Sequence, residues 1–487
     1  MAILHIAFAP LTSVHFKYNF VLHKKEVVIL KKEVMTEVQK LAKFVQSRSY
    51  GELSEAAVKE LKIRLLDSLG CAIGALNGEP IQMIKEQINE FGSNPLVSMI
   101  GGGKTAPDRA ALYNSALIRY LDYNDSYLAK KETCHPSDNI GSLLAAAQYA
   151  DKNGKDFLTA LAIAYQVQCR LSDVAPVRDK GYDHTVQGAY GVAAGAAYAL
   201  GLDENKTANA IAIAGTAYNA LRVTRTGNLS HWKGLAFPST GWTSTHAAFL
   251  AMRGITGPEE VFEGNKGFKE TIAGDFDIDW TQENLEKVTQ TIIKKFNAEI
   301  HSQSTLEGIQ DLVTKHLFNV GEIEKIELNT FDVAYNIIGG GEEGEKKNIR
   351  TKEEADHSLP YMMAVLLLDG NVLPAQYFNE RIQKEDVQLL LKKVQVNEKK
   401  AYSDRFPGEL ACDITITLKD GTQLSIDKTD YEGFNTRKAS WKTIIHKFHL
   451  LASSHADESV REKIIEIVQN LEQYNVSDLM LVLERLR

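Results

Sequence analysis

Apolar residues recur at three- and four-residue spacing from Thr36 to Val45 and again from Ser54 to Ala75. This spacing predicts two helices, the second opened by Ser54 with acidic Glu55 behind it. Within the second, Leu61, Ile63, Leu65, Leu66 and Leu69 lead into Gly70, Ala72, Gly74 and Ala75, small side chains that allow another helix to approach closely. The same period predicts helices over 109–121, 140–151, 156–173, 186–200, 204–218 and 241–253. Several carry alanine on all sides, as in Val192 to Leu200, and a helix that is apolar all round belongs inside a large helical core. No strand-rich region is expected before about Thr289.

Beyond that point the texture changes. Lys325-Ile326-Glu327-Leu328 reads as a short strand, and helices are expected at 303–317, 357–368 and 384–393. Ile414 to Ile426 holds two alternating runs joined by Asp420-Gly421, the signature of a β-hairpin. From Trp441 to the end, helix returns. The fold class is therefore mainly α: a large all-helical domain formed by 35–290 plus 431–487, interrupted by a smaller α+β domain at 291–430. Gly339-Gly340-Gly341-Glu342-Glu343-Gly344 is expected to be a mobile loop of the second domain. Gly101-Gly102-Gly103-Lys104-Thr105 resembles a phosphate loop, but Ser98 stands where the Walker pattern needs its first glycine. It reads as a plain turn before a helix begun by Pro107 and Asp108.

Composition narrows the class of protein. The chain has 487 residues with 55 basic and 63 acidic side chains, a formal charge of −8. Hydrophobic residues at 44% and charged residues at 24% are ordinary for a soluble globular chain with full cores, and the acidic excess argues against a nucleic-acid partner. Cys71, Cys134, Cys169 and Cys412 have no C-x-x-C spacing, so reduced, buried thiols are expected and no structural zinc or iron–sulfur cluster. Residues 1–34 hold no uninterrupted apolar span long enough for a membrane and lack the order of a secretory signal. They read as a dispensable extension outside the core, with Met35 opening the domain. A cytoplasmic location is the expectation.

In a chain with such apolar helices, chemistry belongs to the polar clusters at their ends. Asp122 and Ser126 follow the 109–121 helix, and His135 precedes the next, kept out of helical geometry by Pro136 while Ser137 or Asp138 caps that helix. Asp122, Ser126 and His135 would then share one rim, or serve only as capping and turn residues. Asp183-His184 lies in a glycine-flanked loop. Arg222, Arg225 and Lys233 form a cationic strip that either receives substrate carboxylates or pairs with neighbouring Asp and Glu. Lys294 and His301 sit at the domain junction, where ligand sites are favoured. Tyr335 and, further on, His357 complete the set, with His357 beginning an apolar helix as a candidate cap. Anion receivers beside proton-transfer groups, without metal-ligand spacing, a nucleophile elbow or a dinucleotide fingerprint, favour a lyase or isomerase acting on a polycarboxylate. The acidic surface repels such a substrate weakly, so attraction must come from the local cluster of Arg222, Arg225, Lys233 and Lys294.

The segment Arg119-Tyr120-Leu121-Asp122-Tyr123-Asn124-Asp125, with Cys134-His135-Pro136-Ser137-Asp138-Asn139, resembles the MmgE/PrpD family. The likeness continues in order through Asp183-His184, Leu221-Arg222 to Arg225, Trp232-Lys233, Phe296 to Gln303, and Asp356-His357-Ser358 with Tyr361-Met362. It covers roughly Val45 to the C-terminus. The resemblance implies a helical domain carrying both termini, an α+β lid, a homodimer, no cofactor and no metal. It implies dehydration of 2-methylcitrate or citrate or, in a sister branch, decarboxylation of cis-aconitate. From that branch it proposes Asp122, Ser126, His135, His184, Lys233, Lys294 and Tyr335 as active-site positions. Departures are Cys134 in place of a glycine, Asn297 in place of a proline, and a shorter segment between Arg225 and Lys233. Glu299 in place of the decarboxylase histidine pulls towards dehydration. The leading expectation is a metal-independent hydro-lyase making 2-methyl-cis-aconitate, with Asp122, His135, His184, Lys233 and Tyr335 catalytic and Ser126, Arg222, Arg225, Lys294 and His301 binding substrate. Its rivals are a cis-aconitate decarboxylase and a non-catalytic polycarboxylate binder.

Overall fold

The computed structural model describes residues 35–227 and 229–486. The expected extension at 1–34 lies outside them. The chain is mainly helical, as its apolar periodicity requires. The first helix, Glu37–Gln46, begins where Thr36 and Gln39 form a reciprocal capping box, and Glu55–Gly74 begins where Ser54 Oγ accepts from the Ala57 amide at 3.0 Å. The small residues at the end of that helix admit a C-terminal helix, Trp441–Ala452. A Cβ on Gly70 would lie 3.3 Å from Phe448 Cα, and one on Gly74 3.3 Å from the Leu451 carbonyl oxygen.

Helices Pro107–Tyr120, Asn139–Tyr149, Gly154–Val174, Thr185–Ala199, Glu204–Ala217 and Trp232–Met252 pack on one another around the largest core. Gly141 allows the closest of these approaches, since a Cβ there would sit 2.3 Å from the Ser115 nitrogen. That core draws its buried apolar residues from Val38 to Ile293 and from Ile444 to Leu486. A second core runs from Phe296 to Ile416. Between them, Ile292, Ile300, Phe331, Tyr402, Leu410, Tyr431 and Phe434 form a smaller cluster.

Eight strands are described. Val97–Ser98 (β1) and Lys104–Thr105 (β2) form one hairpin, and Tyr127–Ala129 (β3) and Glu132–Cys134 (β4) another. Ile323–Thr330 (β5), Val394–Glu398 (β6), Cys412–Leu418 (β7) and Gln423–Lys428 (β8) make a sheet of order β6-β5-β7-β8, parallel only between β5 and β6. Ile326 faces Ile416 and Leu328 faces Ile414, so alternate side chains enter the second core. Helices Gln303–Lys315 and Leu359–Asp369 pack against this sheet.

The structure corrects several local expectations. Gly101, Gly102 and Gly103, all at positive φ, make the expected turn before the Pro107 helix, here between β1 and β2, and the only strands described before Thr289 are those of the two short hairpins. The helix expected at 241–253 begins at Trp232 and carries Pro238 inside, so Lys233 belongs to its first turn rather than to a loop. His357 stands outside the helix it was expected to begin, because Ser358 is the cap and accepts from the Tyr361 amide at 3.1 Å. Asp138 makes no side-chain cap to the helix after it. All four cysteines are free and buried. Among the described residues, no helix is long and apolar enough to cross a membrane.

Candidate active site

Four histidines, His135, His184, His301 and His357, line one cavity of about 40 Å³. The β3–β4 hairpin brings His135 back over Asp125, whose carbonyl oxygen lies 2.9 Å from His135 Nδ1. A carbonyl can only accept, so Nδ1 carries the hydrogen and Nε2 keeps its lone pair. Ser126 Oγ lies 3.0 Å from the same Nδ1. The Asp125 carboxylate holds the turn from below, accepting from the Ser137 amide at 3.0 Å and from the Tyr165 hydroxyl at 2.8 Å. Burial, followed by the charges of Arg119 and Lys294, keeps His135 well below the ordinary imidazole value.

His184 Nδ1 lies 3.2 Å from the Asp183 carboxylate, which accepts from Arg225 Nε at 2.7 Å. Burial is the main cause that lowers its pKa to about 3; the neighbouring Asp183 opposes it and Arg225 adds to it. The rings of His135 and His184 meet edge to face with centroids 5.3 Å apart. His301 reaches the same cavity from the side of the second core, its Nδ1 2.8 Å from Glu299 Oε1 and its ring against Phe331 and Phe406. Burial would raise Glu299, but the facing His301 overcomes this and the carboxylate falls to about 2. Nε2 of His184 and Nε2 of His301 are buried without a hydrogen-bond partner among the described residues. Buried ring nitrogens of this kind are normally satisfied, so two unsatisfied ones at a cavity mark a place for a ligand.

Charge is concentrated behind these rings. Asp122 sits at φ +54°, an uncommon backbone state for a residue with a side chain. Its carboxylate receives Arg119 Nη1 at 2.5 Å, Lys294 Nζ at 2.6 Å and, on the other oxygen, Lys233 Nζ at 3.3 Å. Lys294 also donates to the Asp122 carbonyl at 2.6 Å. Burial opposes ionisation of Asp122, yet Arg119, Lys294 and Lys233 hold it well below the ordinary carboxylate range.

Asp122, His135, His184, Arg222, Arg225, Lys294 and His301 all line the cavity. Ser126 does not; it is buried behind His135. Lys233 does not either. Its ammonium lies 2.6 Å from Asp356, 2.8 Å from His357 Nδ1 and 3.3 Å from Asp122, the pairing alternative of the two expected for it. Tyr335, half-buried at the start of the 335–339 turn, lies outside the lining, packed against Gly339 and Gly341. Arg222 and Arg225 pair with Glu343 and Asp183, the bland alternative for that cationic strip. Sequence reasoning missed Arg119, Glu132, Arg178 and Glu343 as lining residues. Arg119 had a signal, since it stands one helical turn before Asp122. Arg178 and Glu343 had none, because they meet across 165 residues of chain.

One cluster has the donor types for a metal. Single atoms of Asp122, Asp356 and His357 lie within 4.8 Å of one another, but Lys233 Nζ is within 3.3 Å of all three groups. An ammonium already neutralises the carboxylates that a cation would need, so the donor set does not fit a metal site.

Comparison with known proteins divides the chain near residue 290, but the second part runs on into the C-terminal helices of the first core. The model of the MmgE/PrpD N-terminal domain matches residues 39–281, and that of the MmgE/PrpD C-terminal domain matches 296–473. Cis-aconitate decarboxylase of Mus musculus is 26% identical over 463 residues, covering 89% of this chain and 90% of its own. 2-Methylcitrate dehydratase of Escherichia coli (strain K12) is 25% identical over 457 residues, covering 86% and 91%. The mitochondrial 2-methylcitrate dehydratase of Yarrowia lipolytica is 26% identical over 455 residues, covering 88% and 86%.

Proposed function

The chain belongs to the MmgE/PrpD family, and on that premise we propose that it is a metal-independent hydro-lyase that dehydrates 2-methylcitrate, or citrate, to the corresponding cis-aconitate. The observation that carries the reading is His135: uncharged, with its Nδ1–H spent on the Asp125 carbonyl, it offers Nε2 as a base at the wall of a cationic cavity. In this reading His135 takes the proton from the carbon next to a carboxylate. The C–H electron pair becomes the new double bond, and the hydroxyl leaves the neighbouring carbon as water with a proton from His301. His184, lacking a partner on Nε2, orients the hydroxyl. Charge that develops on the enolate-like intermediate is taken by Arg119, Lys294, Arg222 and Arg225, side-chain cations in place of a metal. Ser126 and Lys233 act from behind as supports of His135 and Asp122, and Tyr335 borders the loop after it. Residues 291–430 serve as the lid over a helical domain of 35–290 and 431–487, in a cytoplasmic homodimer without cofactor.

The test is a chelator-treated preparation given 2-methylcitrate, citrate and cis-aconitate, with products identified. A conjugated alkene from either citrate, lost in His135→Gln, is expected. Carbon dioxide and an itaconate-like product from cis-aconitate would replace this reading with decarboxylation, the second reading, which rests on a similarity to the mouse decarboxylase as great as that to the dehydratases. Thermal stabilisation by citrate with no product from any substrate would leave a binder.

A further inference from the structure

The inner cavity has room for a few water molecules, whereas sites that enclose small organic ligands run to about 300–1,000 Å³. A larger cavity of about 470 Å³ adjoins it on the outside, with Lys130 and Lys131 at its rim. Glu132, Thr133, Arg178, Arg222 and Glu343 line both. At the centre of the partition between the two spaces, the Glu343 carboxylate is held by two guanidinium groups, while Glu132 is engaged by backbone amides. Arg222 Nη2 lies 2.6 Å and Arg178 Nη2 3.4 Å from the same oxygen, Glu343 Oε1, while Oε2 is buried with no partner among the described residues. Such one-oxygen pairing falls short of the two-oxygen fork that arginine makes with a well-seated carboxylate. The arginines are fixed by their backbones: Glu132 accepts from the amides of Val177 and Arg178, and the Arg222 amide donates to the Gly181 carbonyl. Glu343 hangs from the glycine-rich 339–344 loop, whose Gly340 and Gly344 have φ of +106° and +98°, and its amide is tied to the Asn336 carbonyl. Within this loop, expected to be mobile, Gly340, Glu342 and Gly344 are exposed while Glu343 turns inward and is only 8% exposed.

We propose that Arg178 and Arg222 form a carboxylate subsite that Glu343 occupies as an internal substitute, and that one carboxylate of an incoming polycarboxylate displaces it. This rests on the polycarboxylate reading above and adds how that substrate is admitted. Displacement swings the 339–344 loop outward and joins the inner cavity to the outer one. The exchange is charge-neutral at the arginines, so its cost is confined to the loop.

Propane-1,2,3-tricarboxylate, which has no hydroxyl to lose, is the probe. Its binding is measured by calorimetry on wild type, Glu343→Gln and Arg178→Met, and by hydrogen exchange of the segment 336–348. Wild type is expected to bind with faster exchange in that segment, Glu343→Gln to bind about tenfold more tightly because the competing closed state is lost, and Arg178→Met to bind more weakly. Binding to wild type with no gain in Glu343→Gln, or with unchanged exchange in 336–348, overturns the displacement and leaves the substrate class standing. Binding to none of the three proteins, with no product from citrate or 2-methylcitrate, overturns the polycarboxylate reading and this proposal together.

Discussion

Replacing His184 by glutamine should remove a measurable part of the protein's sensitivity to acid. Burial lowers this imidazole from an ordinary value of 6.5 to about 3 in the folded chain. In the unfolded chain it takes up a proton near 6.5 while the folded state does not, so stability falls as pH drops below 6.5 and keeps falling until the folded group titrates near 3. Integrating that difference gives a loss of about 2 kcal/mol between pH 7.5 and pH 5.0, and about 5 kcal/mol once both states are protonated. Three neighbours bear on the window. His135, also held below the ordinary imidazole value, acts in the same direction as His184 and is present in both proteins. Asp183 is held below its ordinary 3.8, so it contributes nothing between those two pH values. Asp138, raised by burial to about 7, works in the opposite direction, because the folded state gains a proton there first. It is present in both proteins and cancels in their comparison. Urea unfolding followed by tryptophan fluorescence at the two pH values gives a change for each protein. Glutamine keeps a donor for Asp183 but does not titrate, so on going to pH 5.0 wild type should lose about 2 kcal/mol more than His184→Gln. Equal changes in the two proteins would refute the account of His184 as a buried, uncharged imidazole.

Other outcomes follow from the same geometry. His135→Gln should lower kcat by about 10²–10⁴-fold with KM little altered, since the ring is assigned to proton transfer, and steady-state rates on the active substrate check this. The acidic limb of kcat/KM in wild type should fall well below pH 6.5, because burial and the nearby Arg119 and Lys294 keep His135 uncharged there; a limb centred at the ordinary value would contradict it. Lys233→Met strips a cation from Asp356 and Asp122, and should destabilise by about 3–5 kcal/mol in urea titration, towards the lower figure because Lys352 and Lys294 remain. Dialysis against a strong chelator should leave turnover unchanged, since Lys233 already fills the cation position among Asp122, Asp356 and His357.

Much of this site was legible because its residues come in short runs that constrain themselves. Asp125 to Asp138 is one such run: a proline fixes the backbone after His135, and the hairpin returns the ring to a carbonyl only ten residues away. Asp183-His184 is another, completed by Arg225. Ion pairing was the harder part. Whether a cation in a loop faces a ligand or a carboxylate depends on what the rest of the chain brings within about 4 Å, and local periodicity carries no information on that. Lys233 therefore turned out to be covered by Asp356, 123 residues away, and Arg222 by Glu343, 121 residues away.

By itself, then, the sequence determined the helical character of the chain, the change of texture near residue 290, the Asp420-Gly421 hairpin and the identity of most side chains around the cavity, because propensity, turn chemistry and capping act over a few residues. Only the tertiary structure decided which histidine nitrogen is left open, which cations are already neutralised and which glutamate closes the cavity. Those outcomes are set by burial and by charges that meet from distant segments, and both come into being only when the two cores close on each other.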